Sequence, residues 1–436
     1  MKKNSILIIL LGFIFLAPLT GLSQKAEWVN QVLIGNGGRF ETTPPYSDYT
    51  TMQTYDPATL ATSVFNTIYT QSVQDILISG NYAYVAAQDS IIKYDINTYE
   101  RVAAIADSGV SRLGLYNDRL IVSKQWPVVR FFVEVLNANS LALLDRTQFI
   151  SGDCGEVYAS KDSVYVAVNG GFLGTEGKLA VINPTNWDLA REINFGTQAV
   201  GIFDLFFFDG NIFSINRTPY GAGEVGSITA YNIYNFNFTN TVLSYTLADG
   251  LGVIDSVLYL KVNEGVGSFN LKTKQMIDPE LIPDPGSANH VYITSGATDY
   301  INDHLYLNIG DRLAWGINVV ATTAGDSVTS FATGISADAI ALDYRVPVGI
   351  DESRIKTASV AIYPNPVSGQ ARIQYFGEGS IVEYSVMDLT GRTLSNSTWN
   401  GTETVAVIDC SAFPSGIYFL TLKTDRETLT RKFIKK

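Results

Sequence analysis

Aromatic and charged side chains share a set of loops that follow short apolar strands, and this pairing is the main chemical signal in the chain. Exposed aromatic rings beside guanidinium, amide and carboxylate groups suit a planar or sugar-like ligand, held by stacking and directed hydrogen bonds. The alternative is that these are ordinary loops whose aromatic side chains pack locally. The candidate ligand-binding residues are Arg39, Phe40, Tyr46, Tyr49, Trp126, Phe172, Glu176, Arg217, Tyr220, Asn263, Asp311 and Arg312.

Catalytic and metal-binding motifs have weaker support. Only two histidines are present, His290 and His304, so neither a His-rich metal site nor a Ser-His-Asp triad is favoured. Asp153 and Glu156 illustrate a carboxylate pair that could perform acid-base chemistry, but 42 acidic residues make such pairs common by chance. We therefore predict no catalytic residue, no metal and no cofactor, and the interpretation leans away from an enzyme.

Composition narrows the class of protein. A formal net charge of −12 and a pI near 4.7 argue against nucleic acid as a partner, because phosphate binding needs a basic surface. Charged residues are 17% and aromatic residues 12% of the chain, which is typical of a β-rich protein. Cys154 and Cys410 fall in different predicted domains, so a disulfide between them would require those domains to dock.

The candidate loops belong to a repeat. A turn followed by a short apolar strand begins at residues 81, 118, 162, 210, 255 and 303, with spacings of 37, 44, 48, 45 and 48 residues. Repeats of this length with several short strands are typical of a β-propeller, whose four-stranded blades bury their faces against one another. A second mark, an apolar or aromatic residue followed by Asp or Asn, occurs seven times and predicts seven blades: Tyr55-Asp56, Tyr94-Asp95, Leu136-Asn137, Ile182-Asn183, Tyr231-Asn232, Phe269-Asn270 and Ile317-Asn318.

The ends of the repeat region predict how the ring closes. The chain enters at residues 31–34, which have the pattern of a second strand, whereas residues 337–344 resemble the innermost strands of other repeats. We expect these two segments to pair and complete the first blade, which removes free sheet edges. The predicted propeller spans residues 25–344, and a polar linker covers residues 345–358. The candidate residues then lie on loops between second and third strands, on one face of the ring.

The first repeat also resembles a known group of propellers. Val-Leu-Ile-Gly-Asn-Gly at 32–37, Tyr-Asp-Pro-Ala-Thr at 55–59 and Tyr-Val-Ala at 84–86 carry a likeness to YncE-like and surface-layer propellers with YVTN-type repeats. The resemblance implies the propeller fold and no particular activity.

Residues 359–436 have the alternation of a small all-β module, predicted to be an Ig-like sandwich. Three blocks mark it: Tyr-Pro-Asn-Pro at 363–366, Met-Asp-Leu-Thr-Gly at 387–391 and Pro-Ser-Gly-Ile-Tyr at 414–418. In this order they resemble the type A sorting domain of the type IX secretion system. The resemblance implies that an outer-membrane translocon recognises the domain, which is often removed at the cell surface. The residues that carry it are Tyr363, Pro364, Asn365, Pro366, Asp388, Gly391, Gly416 and Tyr418.

The N-terminus is consistent with export. Residues 1–3 are Met-Lys-Lys and residues 6–17 form a short apolar run, followed by small residues up to Ser23. This pattern predicts a Sec signal peptide at residues 1–23. No later apolar stretch is long enough to span a bilayer, so no transmembrane segment is expected in the mature chain. The predicted location is outside the cell, either secreted or attached to the outer-membrane surface.

Three functions remain open from the sequence. The first is a binding propeller that captures a small molecule, glycan or protein on the face with the candidate loops. The second is a structural surface-layer or adhesion scaffold, and the third is an exported polysaccharide-active enzyme. A binder requires exposed aromatic residues around a concavity, an enzyme requires convergent carboxylates at the channel mouth, and a scaffold requires neither.

Overall fold

The computed structural model describes residues 28–41, 43, 45–160, 162–219, 221, 223, 225–345, 358–363, 365–377, 381–398, 405–424 and 428–436. The predicted signal peptide, Tyr220, Pro364 and residues 346–357 of the predicted linker lie outside the described residues. The chain divides into two compact units, Met1–Pro347 and Val348–Lys436.

The described part of the first unit consists of short strands joined by turns, with three 3-10 helices at Gly171–Leu173, Thr197–Ala199 and Ser287–Asn289. Its first strands are β1 (Trp28–Asn36), β2 (Thr50–Asp56), β3 (Ala61–Ile68), β4 (Asp75–Ser79), β5 (Tyr82–Ala87), β6 (Ser90–Asp95), β7 (Arg101–Ala106), β8 (Val110–Tyr116), β9 (Arg119–Lys124), β10 (Val133–Asn137), β11 (Leu143–Thr147), β12 (Cys154–Ala159), β13 (Val164–Val168) and β14 (Gly177–Ile182). They continue as β15 (Leu189–Gly196), β16 (Ile202–Phe208), β17 (Asn211–Asn216), β18 (Gly226–Asn232), β19 (Phe238–Leu243), β20 (Leu247–Ile254), β21 (Val257–Val262), β22 (Gly265–Asn270), β23 (Gln275–Ile282), β24 (Tyr292–Asp299), β25 (His304–Gly310), β26 (Gly316–Thr322), β27 (Ser327–Thr333) and β28 (Ala337–Arg345).

These strands form seven four-stranded antiparallel sheets. Blades 2 to 7 each use four consecutive strands, from β4–β7 through β24–β27, with the innermost strand first. Blade 1 has the order β28-β1-β2-β3. The innermost strands β28, β4, β8, β12, β16, β20 and β24 contact one another in that order and return to β28, so they surround a central channel. The unit is a seven-bladed β-propeller.

The predicted closure of the ring is confirmed. β1 pairs antiparallel with β28, so that Gln31 lies opposite Asp343 and Ile34 opposite Ile340. The Gln31 amide is buried and donates to the Ile96 carbonyl at 2.9 Å and to Asp343 Oδ2 at 3.1 Å. Because unpaired polar groups are costly in a protein interior, this bonded network specifies the register of the two strands.

The Asp and Asn marks cap the turns between the third and fourth strands. Asp56 Oδ1 accepts hydrogen bonds from the backbone of Ala58 and Thr59, and Asn270 Oδ1 does the same for Lys272 and Thr273. Such side-chain caps replace backbone partners in tight turns, which explains their recurrence.

The seventh predicted turn mark, Ile317-Asn318, is wrong, because it does not lie at a turn. Asn318 lies inside β26, is fully buried and donates to Asn308 Oδ1 at 2.8 Å. Thr322 instead occupies the turn, and its Oγ1 accepts from the backbone of Ala324 and Asp326. A threonine hydroxyl makes the same local bonds as a carboxylate, so the turn survives without the predicted residue type.

The hydrophobic core lies between neighbouring blades. Leu113, Leu120 and Val122 of blade 3 pack with Tyr84 and Ile91 of blade 2 in one buried cluster. Buried apolar surface of this kind contributes about 25 cal/mol per Å² to folding. The innermost strands approach so closely that a Cβ on Gly114 would lie 2.5 Å from a methyl carbon of Val157.

The second unit is a small two-sheet sandwich, as predicted. Its described strands are β29 (Ala358–Tyr363), β30 (Gln370–Gly377), β31 (Ile381–Asp388), β32 (Thr393–Thr398), β33 (Val405–Asp409), β34 (Gly416–Thr424) and β35 (Thr428–Lys435). They form two sheets with the orders β29-β30-β33 and β32-β31-β34-β35. Tyr418, Leu420 and Phe433 are among the residues of its buried core. Cys154 in the propeller and Cys410 in the sandwich are both free, buried thiols.

Candidate functional site

A ring of polar side chains lines the central channel, one from each blade. It surrounds a cavity of about 270 Å³ near the loop face, the end of the propeller that carries the loops between second and third strands. We call these residues the channel ring: Asp338, Asp75, Arg112, Glu156, Asp204, Asp249 and Ser295, from blades 1 to 7 in order.

Irregular strand pairing accompanies the ring. In six of the seven blades the register between the innermost and second strands shifts at or beside the ring residue, as at Val110/Leu113 around Arg112 and at Cys154/Val157 around Glu156. A β-bulge re-aims a side chain that regular alternation would direct elsewhere. The repeated bulge therefore explains how similar positions in most blades point polar groups into one channel.

Two ring carboxylates tie neighbouring blades together. Asp75 Oδ2 accepts a hydrogen bond from the backbone N–H of Leu113 at 2.8 Å, and Asp204 Oδ2 accepts one from Gly250 at 3.0 Å. Each bond runs from one blade to the innermost strand of the next. Burial raises the pKa of both carboxyls, opposed by Arg112 for Asp75 and by Arg217 for Asp204. Both carboxyls therefore have a structural role, because each links two neighbouring blades.

Asp249 is held as a carboxylate by two cations. Arg217 Nη2 bonds Asp249 Oδ1, and Lys261 Nζ lies 3.4 Å from Oδ2. Burial opposes ionisation here, but these two cations hold the pKa of Asp249 well below its usual range. The Arg217 guanidinium also lies 3.4 Å from the ring centroid of Phe203 and 3.9 Å from Asp204. Arg217 is therefore fixed on several sides at the edge of the channel.

Glu156 has a very different environment. Its Oε2 lies 3.7 Å from Arg112 Nε, while Arg112 donates to the Gln74 carbonyl at 2.8 Å. Burial, followed by the negative charge of Asp75, raises the pKa of Glu156 well above its ordinary value, although Arg112 opposes the shift. The pKa values of Glu156 and Asp249 are therefore shifted in opposite directions within one channel.

Asp338 completes the acidic side of the channel ring. Burial raises its pKa to about 6, opposed by Arg312, whose Nη1 is 3.5 Å from Oδ1. That buried oxygen forms no hydrogen bond with any described residue.

The structure brings two predicted loop residues to the channel ring. Arg217 follows β17 and reaches Asp249, while Arg312 follows β25 and reaches Asp338. Including Lys261, four cationic groups face the five ring carboxylates. The mouth of the channel is therefore strongly polar but close to electrically balanced.

Other predicted residues organise their own loops. Asp311 Oδ1 accepts from the backbone of Leu313 and Ala314, and Asn263 Oδ1 accepts from Thr246. Glu176 Oε2 accepts from Asn194 at 2.7 Å. These three side chains have local partners that explain their presence.

The loop between β1 and β2 contains the first four candidate residues, and three of them make defined contacts. Arg39 Nε donates to the Leu313 carbonyl at 2.8 Å, which links this loop in blade 1 to a loop of blade 7. The ring of Tyr49 packs edge-on against Tyr46 and Tyr69, with centroids 6.2 and 5.2 Å apart. Local aromatic packing therefore accounts for Tyr46 and Tyr49.

Three predicted aromatic residues are exposed on the loop face. Phe40 is 71% exposed, Trp126 75% and Phe172 90%. Large aromatic side chains normally bury most of their surface, so rings this exposed are unusual.

Sequence reasoning did not recognise the channel ring as a set. Of the carboxylate pair it named, Glu156 lines the channel, whereas Asp153 accepts a hydrogen bond from the Trp126 backbone at 3.2 Å. The available signal was a polar residue directly before a small or apolar one in each innermost strand: Asp75-Ile76, Arg112-Leu113, Glu156-Val157, Asp204-Leu205, Asp249-Gly250, Ser295-Gly296 and Asp338-Ala339.

The sorting-motif residues of the second unit make its turns. Asn365 Oδ1 accepts from the Ile434 backbone at 2.8 Å, which ties the start of the unit to its last strand. Asp388 caps a turn through Thr390 and Arg392, and Gly391 adopts a φ of 82° there. Tyr418 Oη donates to the Pro414 carbonyl at 2.6 Å, just before Gly416 begins β34. Pro366 lies outside a strand.

Comparison with known proteins decides the nature of this unit. Residues 361–436 match the family model of the secretion system C-terminal sorting domain. The tail is a type IX sorting domain. It directs export through the type IX secretion system, so the protein is secreted or displayed at the cell surface. No curated protein matches the chain.

Solved structures resemble the propeller in fold. A putative 6-phosphogluconolactonase from Bacteroides fragilis NCTC 9343 is 11% identical, with a TM-score of 0.52 over 72% of this chain and 98% of the other. A hypothetical selenium-binding protein from Sulfolobus tokodaii is 8% identical, with a TM-score of 0.53 over 74% and 94%. At such identities the likeness concerns the fold alone.

A third similar structure is longer than this chain. The extracellular domain of a putative hybrid two component system from B. thetaiotaomicron is 9% identical, with a TM-score of 0.48. The match covers 93% of this chain but only 57% of that domain.

The described residues include neither a membrane-spanning helix nor a cluster of side chains suited to a metal ion. None of their helices is long and apolar enough to cross a membrane. Among the same residues, no group of three or more His, Cys, Asp or Glu side chains is arranged to hold a metal ion.

Proposed function

We propose that this exported propeller binds carbohydrate at the loop-face mouth of its central channel. The observation that supports the proposal is the channel ring, in which every blade contributes a polar side chain to one cavity of about 270 Å³. Concave sites with convergent polar groups are where proteins usually bind small molecules.

The balance of charge favours a neutral, hydroxyl-rich ligand. Five carboxyl groups and four cationic groups offer many acceptors and donors, and neither sign of charge dominates the site. A sugar ring satisfies both kinds of group through its hydroxyls and requires no net charge from the site. The exposed rings of Phe40, Trp126 and Phe172 are suited to stacking on further sugar units.

The proposal is tested by ligand-induced thermal shift on the full-length protein. The panel contains neutral, acidic and amino sugars and their short oligomers. Glu156→Met keeps the length of the side chain but removes its hydrogen-bonding groups from the channel, and Glu100→Met is the matched control on an exposed turn of the opposite face. We expect neutral sugars to stabilise the wild type and the control but to stabilise Glu156→Met much less. No shift of the wild type with any sugar would refute carbohydrate binding.

Hydrolysis of a polysaccharide is the second candidate function, favoured by the contrast between Glu156 and Asp249. Glu156, with a raised pKa, and Asp249, with a lowered one, both line this cavity, and acid-base cleavage of a glycosidic bond uses a pair of carboxyls shifted apart in this way. In this case a bound oligosaccharide releases reducing ends over time, and Glu156→Gln abolishes release while binding persists. Binding without any release of reducing ends identifies the protein as a binder.

A further inference from the structure

A second cavity opens on the loop face of blade 5, beside the channel mouth. Its volume is about 370 Å³, and the apolar part of its lining comes from Val200, Pro219, Val225 and Val242. Val225 and Val242 are half-exposed, at 50% and 49%. We call it the blade 5 pocket.

The polar groups in the floor of the blade 5 pocket are already paired. Asn216 Nδ2 donates to Ser227 Oγ at 2.7 Å and to Thr229 Oγ1 at 2.9 Å, while Asn216 Oδ1 accepts from Ser214. Ser227 Oγ donates in turn to the Gln198 carbonyl. A group that enters the pocket therefore finds few free hydrogen-bonding partners below it, and apolar atoms suit the space best.

Arg217 lines the blade 5 pocket and contacts a residue of the channel ring. Its Nη2 bonds the channel carboxylate Asp249, while its side chain also lines the blade 5 pocket. Its Nε is buried and has no hydrogen-bond partner among the described residues. A buried donor without a partner is costly, and a hydrogen bond to a ligand oxygen would remove that cost.

We propose that the blade 5 pocket holds the apolar substituent of the same ligand whose sugar occupies the channel mouth. This inference rests on the proposed function. The ligand class is then a glycoside with an aryl or short acyl group, whose linking oxygen accepts a hydrogen bond from Arg217. The fixed guanidinium positions that oxygen, and the valine side chains cover the substituent.

The test compares two probes that differ only in the substituent. Methyl and 4-nitrophenyl glycosides of the same neutral sugars are titrated into the full-length protein by calorimetry. Val242→Phe narrows the pocket from the outermost strand of blade 5, directly opposite Ser227. Val328→Phe is the matched control, because Val328 lies on the outermost strand of blade 7 and is 51% exposed.

We expect the 4-nitrophenyl glycoside to bind the wild type about tenfold more tightly than the methyl glycoside, because burying an aryl group contributes on the order of 1 to 2 kcal/mol. That preference should be lost in Val242→Phe and kept in Val328→Phe. Equal affinity of both probes for the wild type would overturn this inference and leave sugar binding intact. Failure of both probes to bind would overturn the proposed function and this inference together.

Discussion

Arg217 shows how one side chain connects the two cavities of the loop face. It bonds Asp249, approaches Asp204 and stacks on Phe203, so its guanidinium has little freedom to move. Side chains held in this way lose little entropy when a ligand binds, which makes them effective contacts.

Asp338→Asn should change the pH dependence of stability. Because burial raises the pKa of Asp338 from 3.8 to about 6, the folded protein binds this proton more tightly than the unfolded chain. The stability that the group contributes is full below pH 4 and is lost as the pH rises through about 6. Relative to the wild type, Asp338→Asn should therefore gain on the order of 2 kcal/mol between pH 4 and pH 7.

Thermal unfolding followed at half-unit steps from pH 4 to pH 7 checks this difference. Ser295→Ala is the control, since it alters the same ring without removing a titratable group. Its melting curve should keep the wild-type pH profile. Parallel profiles for Asp338→Asn and the wild type would show that Asp338 does not titrate in this range.

The residue types of the candidate loops could be read from the sequence, but the channel ring could not. Arg217 and Arg312 lie in loops with aromatic and glycine residues, and this composition marks them as candidates. Nothing in the local sequence distinguishes Asp75 or Asp204 from the other acidic residues, of which the chain has 42 in all. Their convergence depends on the seven-fold arrangement of innermost strands and on bulges that local alternation does not reveal. The convergence of these side chains is therefore a property of the tertiary structure.

At the level of elements, the pairing of β1 with β28 is important because it completes blade 1 and closes the ring of blades. Asp343, 1% exposed, accepts hydrogen bonds from Asn30, Gln31 and Arg345 within that sheet. Both strands of the closing pair, β1 and β28, therefore depend on one buried carboxylate.

Asp343→Ala should destabilise the propeller by about 3 kcal/mol, because it leaves buried donors without their acceptor. Urea unfolding monitored by tryptophan fluorescence measures the change, and the midpoint should fall. Asp326→Ala, on an exposed turn between β26 and β27, should shift the midpoint little. Equal midpoints for the two variants would contradict a critical role for the closing pair.

The number of blades and the closing pair could be predicted because turns and apolar strands repeat along the chain. The placement of the seventh mark could not, because Asn318 and Thr322 both suit a turn. The pairing of β25 with β26 buries Asn318 and leaves Thr322 at the turn.

At the level of the whole molecule, the sorting domain gives a clear expectation for export. A chain that ends at Pro347 lacks the type IX signal and should accumulate in the periplasm of a bacterium that carries this system. Cell fractionation followed by protease accessibility on intact cells measures the outcome.

The full-length Arg217→Ala variant is the control for that experiment. It alters the candidate site but keeps residues 361–436, so it should reach the outside in normal amounts. Surface display of the truncated chain at the wild-type level would contradict the role of the tail.

The shared sheet of blade 1 has one more consequence. Since the first and last strands of the propeller are hydrogen-bonded partners, a single proteolytic cut in any one loop yields two fragments that each still pack against the other at two places. Nicked molecules should therefore stay assembled after digestion and separate only in denaturant. That is a useful form of robustness for a protein exposed to extracellular proteases.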